Sequence, residues 1–369
     1  MTPEIGQSAT PRIVRGPASA RININGREYI NFAGSGYLAL GARPEVREAA
    51  LRAIMDGSAF SRQLPLTYGV IDPAIADLEG VAAAYFGTDS AIYFASGYFI
   101  GAAALNSIDA DQSALFIDEE AHYSLLDAAR ASGRPLTVFA HCEPDALLNA
   151  IHRTLLPKMR PIVITDGVFG TTGRMAPLDR YASIVGDYGG RLVVDEAHSF
   201  GVIGPNGRGA ADFLGTERVS TTAATLSKAF CGHGGVIGCD RATAEKLRHL
   251  PPLRGANAGS PISAAVGAAA LRYMASRPEL RKQLSDLTAY LRRKLNALGL
   301  DVGNSPAPIV AFRIGDRNDM RCLQTRLFDR GIHVIISNYI GAGPNGVIRC
   351  AVFADHTEAD LDALVTSIE

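Results

Sequence analysis

The sequence predicts an α/β fold: a large, mostly parallel sheet followed by a smaller α+β C-terminal part. Three observations carry this. Short apolar, β-branched runs alternate with longer helical stretches between Ser90 and Ile237. Such runs read as strands buried on both faces, which require helices on each side of a parallel sheet. Beyond Pro261 the pattern changes to one long charged helical stretch, then strand, helix, strands and helix. Finally, the chain has 369 residues, more than the roughly 250–300 that a single core holds.

In chain order, residues 1–45 read as an N-terminal arm and residues 46–275 as the large domain. Strands are expected at Ser90–Phe94, Ala114–Ile117, Leu136–Phe139, Ile162–Thr165, Arg191–Val194 and Gly235–Ile237. Helices are expected at Pro73–Phe86, Tyr98–Ile108, Ser124–Ser132, Pro144–Leu155 and Leu178–Gly186. Residues 276–369 form the expected small domain, entered through a continuous helical stretch, Pro261–Leu298. Strands at Ile309–Ile314, His333–Ile336 and Val347–Val352 and helices at Arg317–Arg330 and from Thr357 complete it.

Composition excludes several classes. Hydrophobic residues make up 47% and charged residues 20%, which suits a globular protein. Thirty-six Lys+Arg against 37 Asp+Glu leave a net charge of −1, with no electrostatic footprint for nucleic acid or a membrane surface. No apolar stretch reaches the roughly 20 residues of a membrane span. Five cysteines without a C-x-x-C pair point to reduced thiols in a cytoplasmic protein and to no metal site.

Four segments carry candidate chemistry. In LVVDEAHSFGV (Leu192–Val202), an apolar strand runs into Asp195, with His198 three residues on. Ligands of open α/β sheets bind at the carboxyl ends of strands. The same look fits the acidic box of a nucleotide hydrolase, but that class needs a G-x-x-x-x-G-K-[ST] loop, and none of the five lysines follows a glycine. In ATLSKAFCGHGGVIG (Ala224–Gly238), Lys228 is the one lysine in apolar, hydroxyl-rich and glycine-rich surroundings, with Thr225 nearby. Desolvation lowers a lysine's pKa and makes it a nucleophile for carbonyl compounds. A surface lysine with its stem on apolar groups remains the alternative for this segment alone. In IYFASGYFIGAA (Ile92–Ala103), a strand ends at Ser96-Gly97 and a helix starts near Tyr98, either a phosphate cradle or an ordinary turn. In FIDEEAHYSLLDAAR (Phe116–Arg130), His122 opens a helix after a strand, placed either to stack on a planar ligand or to serve structure.

Together these blocks resemble the α-oxoamine synthase family of fold-type I pyridoxal phosphate (PLP) enzymes. The likeness runs from INGREYINFAGSGYLALGARPEV (Ile24–Val46) to IRCAVFADHTEADLDAL (Ile348–Leu364). It includes GVFGTTGRMAPL (Gly167–Leu178), VDEAHSFGVIGPNGRG (Val194–Gly209) and TLSKAFCGHGG (Thr225–Gly235) in family order. The resemblance implies that Lys228 is the Schiff-base lysine and proton shuttle, and that Asp195 partners the pyridine nitrogen. It further implies that His198 donates to the ring hydroxyl and that His122 stacks on the ring. Ser96, Gly97, Tyr98 and Thr225 would hold the phosphate. The implied reaction condenses an amino acid or amine substrate with an acyl-CoA or acyl carrier protein thioester, giving an α-amino ketone. The implied assembly is a homodimer. Other PLP chemistry, such as transamination, elimination or aldol cleavage, is the alternative on this scaffold.

The family pattern is altered where the amino substrate should sit. Ser35 replaces an Asn, and Ser337, Asn338 and Tyr339 fill the place of an Arg that clamps the substrate carboxylate. Gly170 replaces a Ser, with Thr171 as a possible substitute. The stretches Gly57–Gly69 and Arg254–Ser263 also diverge, the latter placing Asn257, Ala258 and Ser260 where the family has a Ser-Thr pair. Neither Ser nor Asn restores the charge of an Arg clamp. The expectation is a bulky amino substrate, or a carboxylate held by Arg62 or Arg349.

Overall fold

The computed structural model describes residues 12–58, 68–108, 112–255 and 259–369. Arg62, Asn257, Ala258 and most of Gly57–Gly69 lie outside the described residues.

The chain opens with three antiparallel strands, β1 (Val14–Arg15), β2 (Arg21–Ile24) and β3 (Arg27–Asn31). The Asn25-Gly26 pair turns β2 into β3, both residues having positive φ, as a two-residue hairpin loop demands. A seven-stranded sheet follows: β4 (Ser90–Phe94), β5 (Ser113–Asp118), β6 (Leu136–Phe139), β7 (Arg160–Asp166), β8 (Arg191–Asp195), β9 (Ser220–Thr225) and β10 (Gly235–Cys239). Their spatial order is β4-β10-β9-β8-β7-β5-β6. All described pairings are parallel except those of β10, which is antiparallel to both neighbours.

The two faces of the sheet follow the period-2 alternation of its strands. Leu115, Ile117, Ile162, Ile164 and Val193 pack on one side with Ile100 and Leu125. Ala114, Phe116, Val163, Leu192 and Val194 pack on the other with Leu147 and Tyr181. Apolar residues at every position therefore mean helices on both faces.

Strand β9 has no counterpart in the sequence reading. Its sequence, STTAAT, looks polar, yet it sits between β8 and β10, with its last three residues buried. The ladder on both sides supplies what composition does not announce. The expected single helix Pro261–Leu298 is two helices, Pro261–Ser276 and Glu279–Ala297. Pro278 separates them, since a proline inside a helix removes a donor and clashes with the preceding turn.

The C-terminal part contributes β11 (Ile309–Phe312), β12 (Ile332–His333), β13 (Ile335–Ser337) and β14 (Val347–Ala351). Strand β14 lies between β11 and β13, whereas β12 joins β3 in parallel. The chain ends are thus interleaved: Ala351 N–H donates to Phe32 C=O at 2.7 Å, and Ala20 N–H to Asp355 at 3.0 Å. A capping box at Thr357 and Asp360 starts the last helix, Glu358–Ile368. No helix among the described residues is long and apolar enough to cross a membrane.

Candidate active site

At the carboxyl ends of the parallel strands lies a cavity of about 350 Å³. Lys228, His122 and His198 line it, together with Asp166, Glu120 and Arg349. Each of the first three follows its own strand: His122 follows β5, His198 follows β8, and Lys228 follows β9.

Lys228 is half-buried, with its amine end enclosed. Burial pushes its pKa down. The nearby charges of Asp195 and Asp166 oppose that shift, and Arg349 adds to it. More of this amine is unprotonated than of a surface lysine.

His122 caps the helix Tyr123–Ala131. Its Nδ1 receives the Ser124 N–H at 3.2 Å and therefore accepts. Nε2 then carries the ring proton and donates to the Tyr339 hydroxyl at 3.1 Å. Burial lowers the pKa of His122, which keeps the ring neutral. Its backbone N–H donates to Asp166 at 2.8 Å.

A second relay fixes His198. Arg349 donates to the Tyr37 hydroxyl at 3.2 Å, so the hydroxyl directs its own proton to His198 Nδ1, 2.7 Å away. The ring proton of His198 then sits on Nε2. Burial and the charges of Lys228 and Arg349 hold the His198 pKa well below the usual imidazole range. A Cβ at Gly170 would stand 2.3 Å from that Nε2, so glycine leaves room for the ring. A serine there requires His198 to move, whereas Thr171 also lines the cavity.

Asp195 lies beneath the lining, buried and accepting from Ala197 N–H at 2.8 Å. Its ladder partner across β7 and β8 is Asp166, also buried. Burial and the Asp195 charge push the Asp166 pKa well above the usual carboxylate range. Sequence reading ended the β7 run one residue short of Asp166. The available signal was that Asp166 ends its strand as Asp195 ends β8.

Ser96, Gly97, Tyr98 and Thr225 meet beside the cavity without lining it. A Cβ on Gly97 would stand 2.6 Å from Thr225 Oγ1. Thr225 Oγ1 donates to Gly234 C=O at 3.0 Å and accepts from Ser227 N–H at 3.2 Å. Ser96 Oγ accepts from Tyr98 N–H at 3.2 Å, and the Tyr98 ring lies 6.2 Å from that of His122. A turn with hydroxyls on either side and no Cβ in its centre suits a phosphate. With the shielded amine of Lys228 and two buried carboxylates behind it, the residues fit PLP.

Arg349 is buried and tied down: Nε donates to Gly170 C=O at 2.7 Å and Nη1 to Gly34 C=O at 2.9 Å, besides its bond to Tyr37. Ser35, Ser337 and Tyr339 also line the cavity, so three of the positions expected to depart from the family pattern face the same space.

Residues 27–368 match the family model of class I and II aminotransferases. The 8-amino-7-oxononanoate synthase of Alkaliphilus metalliredigens is 32% identical over 357 residues, 96% of this chain and 90% of that protein. The chain belongs to the α-oxoamine synthases. This family is PLP-dependent. The serine palmitoyltransferase of Sphingomonas wittichii has the same fold, with a TM-score of 0.90 and 23% identity, over 98% of this chain and 92% of that one. So has a serine palmitoyltransferase from S. paucimobilis solved with a bound PLP–myriocin aldimine, with a TM-score of 0.89 and 22% identity, over 97% and 91%.

Proposed function

We propose that this α-oxoamine synthase condenses an amino substrate with an acyl thioester, carried by CoA or by a carrier protein, to an α-amino ketone. The observation that carries this reading is the enclosed Lys228 amine in one cavity with two imidazoles of defined tautomer.

PLP, when bound, supplies an aldehyde that takes up an amine covalently and a ring that withdraws electrons from the amine's Cα. Lys228 would hold it through Nζ, and the same amine would take and return the Cα proton. Asp195 would face the ring nitrogen, and its buried charge also raises the Lys228 pKa against desolvation. His198 would donate from Nε2 to the ring hydroxyl, held in that tautomer by Tyr37. His122 would lie against the ring face, restrained by Asp166 and Tyr339. Ser96, Gly97, Tyr98 and Thr225 would hold the phosphate. The same reading places the chain in the cytoplasm as a homodimer, supported by five free thiols and by the family.

The test is thiol release from acyl thioesters by the PLP-loaded protein with a panel of amino acids. The expected result is release that needs both substrates and is accompanied by a shift of the cofactor's visible band. Keto-acid formation without a thioester would overturn it in favour of transamination.

A further inference from the structure

Glu120 lines the same cavity as Lys228, and neither the cofactor nor its proton transfers require it. It lies two residues before His122, in the turn after β5, and its side chain is 30% exposed. Its Oε2 lies 3.3 Å from His141 Nε2. His141 Nδ1 in turn lies 2.9 Å from Asp118 Oδ1, in a side chain that is fully buried. Asp118 also accepts from the N–H groups of Glu120 and Cys142, both at 2.9 Å, so the trio is fastened to the backbone. The Phe169 ring, which also lines the cavity, packs edge-on against His141 at 4.3 Å. On the other side, a Cβ at Gly341 would stand 2.5 Å from Oε2, so the turn after Tyr339 closes directly against Glu120.

The charge of this trio is unbalanced. One imidazolium between two carboxylates leaves a net negative charge, and a neutral imidazole leaves more. Among the described residues no Lys or Arg pairs with Glu120 or Asp118, and no hydrogen bond reaches Glu120 Oε1. The other charges of the cavity are engaged: Arg349 on three acceptors, Lys228 beside Asp195 and Asp166. A half-buried carboxylate with one free oxygen, held rigid in a substrate cavity, recognises a cation.

We propose that Glu120 is a specificity-determining residue, and that the amino substrate carries a second, cationic nitrogen, as a diamino acid does. This rests on the condensing reading above. The cavity, at about 350 Å³, holds the reacting amine at Lys228 and the side chain within reach of one wall.

The test titrates the PLP-loaded protein with matched pairs, following the visible band of the cofactor. L-2,4-diaminobutyrate is compared with L-2-aminobutyrate, and L-ornithine with L-norvaline. At one length or the other the diamino acid is expected to bind roughly ten- to hundred-fold tighter, the worth of one charge-assisted hydrogen bond. Glu120→Gln is expected to remove that preference and leave the neutral amino acid within about twofold, which also reports an intact fold. Equal binding within both pairs of the unaltered protein overturns the proposal, and so does an equal loss for both members in Glu120→Gln. If the neutral acids bind and thiol is released without preference, only this inference fails. If no amino acid shifts the band and no thiol is released, the condensing reading fails with it.

Discussion

The two walls of the cavity are built in opposite ways. One is the carboxyl edge of the parallel sheet, where His122, His198 and Lys228 each sit a few residues past their own strand. The other is assembled from Gly34 and Ser35 near the start of the chain and from Ile335, Ser337, Tyr339 and Arg349 near its end. The first wall carries the lysine and the two histidines to which the proposed function assigns the cofactor chemistry. The second presents Ser35, Ser337 and Tyr339 where the resemblance leads one to expect an Asn and a carboxylate-clamping Arg, and its Tyr339 hydroxyl accepts from His122. Local strand-to-turn geometry fixes the first, so its chemistry is hard to change without losing the sheet. The second depends on contacts between chain ends, so its substitutions are expected to act on substrate recognition before cofactor binding.

Perturbing each wall sharpens that contrast. The largest effect is expected from Lys228→Ala on the sheet-edge wall. Activity should fall roughly 10³-fold or more, and the band of covalently held cofactor should vanish. Near-normal turnover would break the assignment. Asp195→Asn should cost roughly 10²–10³-fold. Because the Asp195 charge raises the Lys228 pKa, its removal should also move the Lys228 limb of the pH–rate profile to lower pH. An unmoved limb would separate the two residues.

Behind the second wall, where the two chain ends meet, the expected effects fall first on stability. His356 stacks on Phe32 at 4.5 Å, and its Nδ1 accepts from Phe353 N–H at 2.9 Å, joining the two chain ends. Burial pushes its pKa down from 6.5 to about 4. Between those values the unfolded chain binds the extra proton. Stability present above pH 6.5 is therefore lost as pH falls through about 4, by about 3 kcal/mol in all. Denaturant melts across this range should show the loss, and His356→Gln should flatten it. The smallest effect is expected from Tyr37→Phe. It leaves Arg349 and His198 each short of one partner, for about 2 kcal/mol of stability. Activity should drop while the cofactor stays bound. Release of the cofactor would show that the two walls are not separable.

Much of the first wall was legible. Lys228 stood out because no other lysine has apolar surroundings, and Asp195 because an apolar strand runs into it. Asp166 escaped notice, although it ends its strand in the same way, because nothing in its own segment reveals the second carboxylate one ladder rung away. Strand β9 was invisible because Ser and Thr are tolerated in a strand whose ladder is completed on both sides. Tyr37, Glu120 and the hydrogen bond from His122 to Tyr339 gave no local signal. Their partners are 161, 21 and 217 residues away in sequence, or are fixed through such partners.

The sequence by itself determined the α/β class, the family, the cofactor chemistry and the residues at strand ends. Periodicity and strand-to-turn spacing are local, and a strand end delivers its next few residues to the same edge of any parallel sheet. Only the tertiary structure decided which tautomers the histidines hold, what ties down Arg349, and that Glu120 faces the cavity with no lysine or arginine paired to it among the described residues. Those properties depend on burial and on partners brought from distant segments, and neither is encoded within reach of the residue concerned.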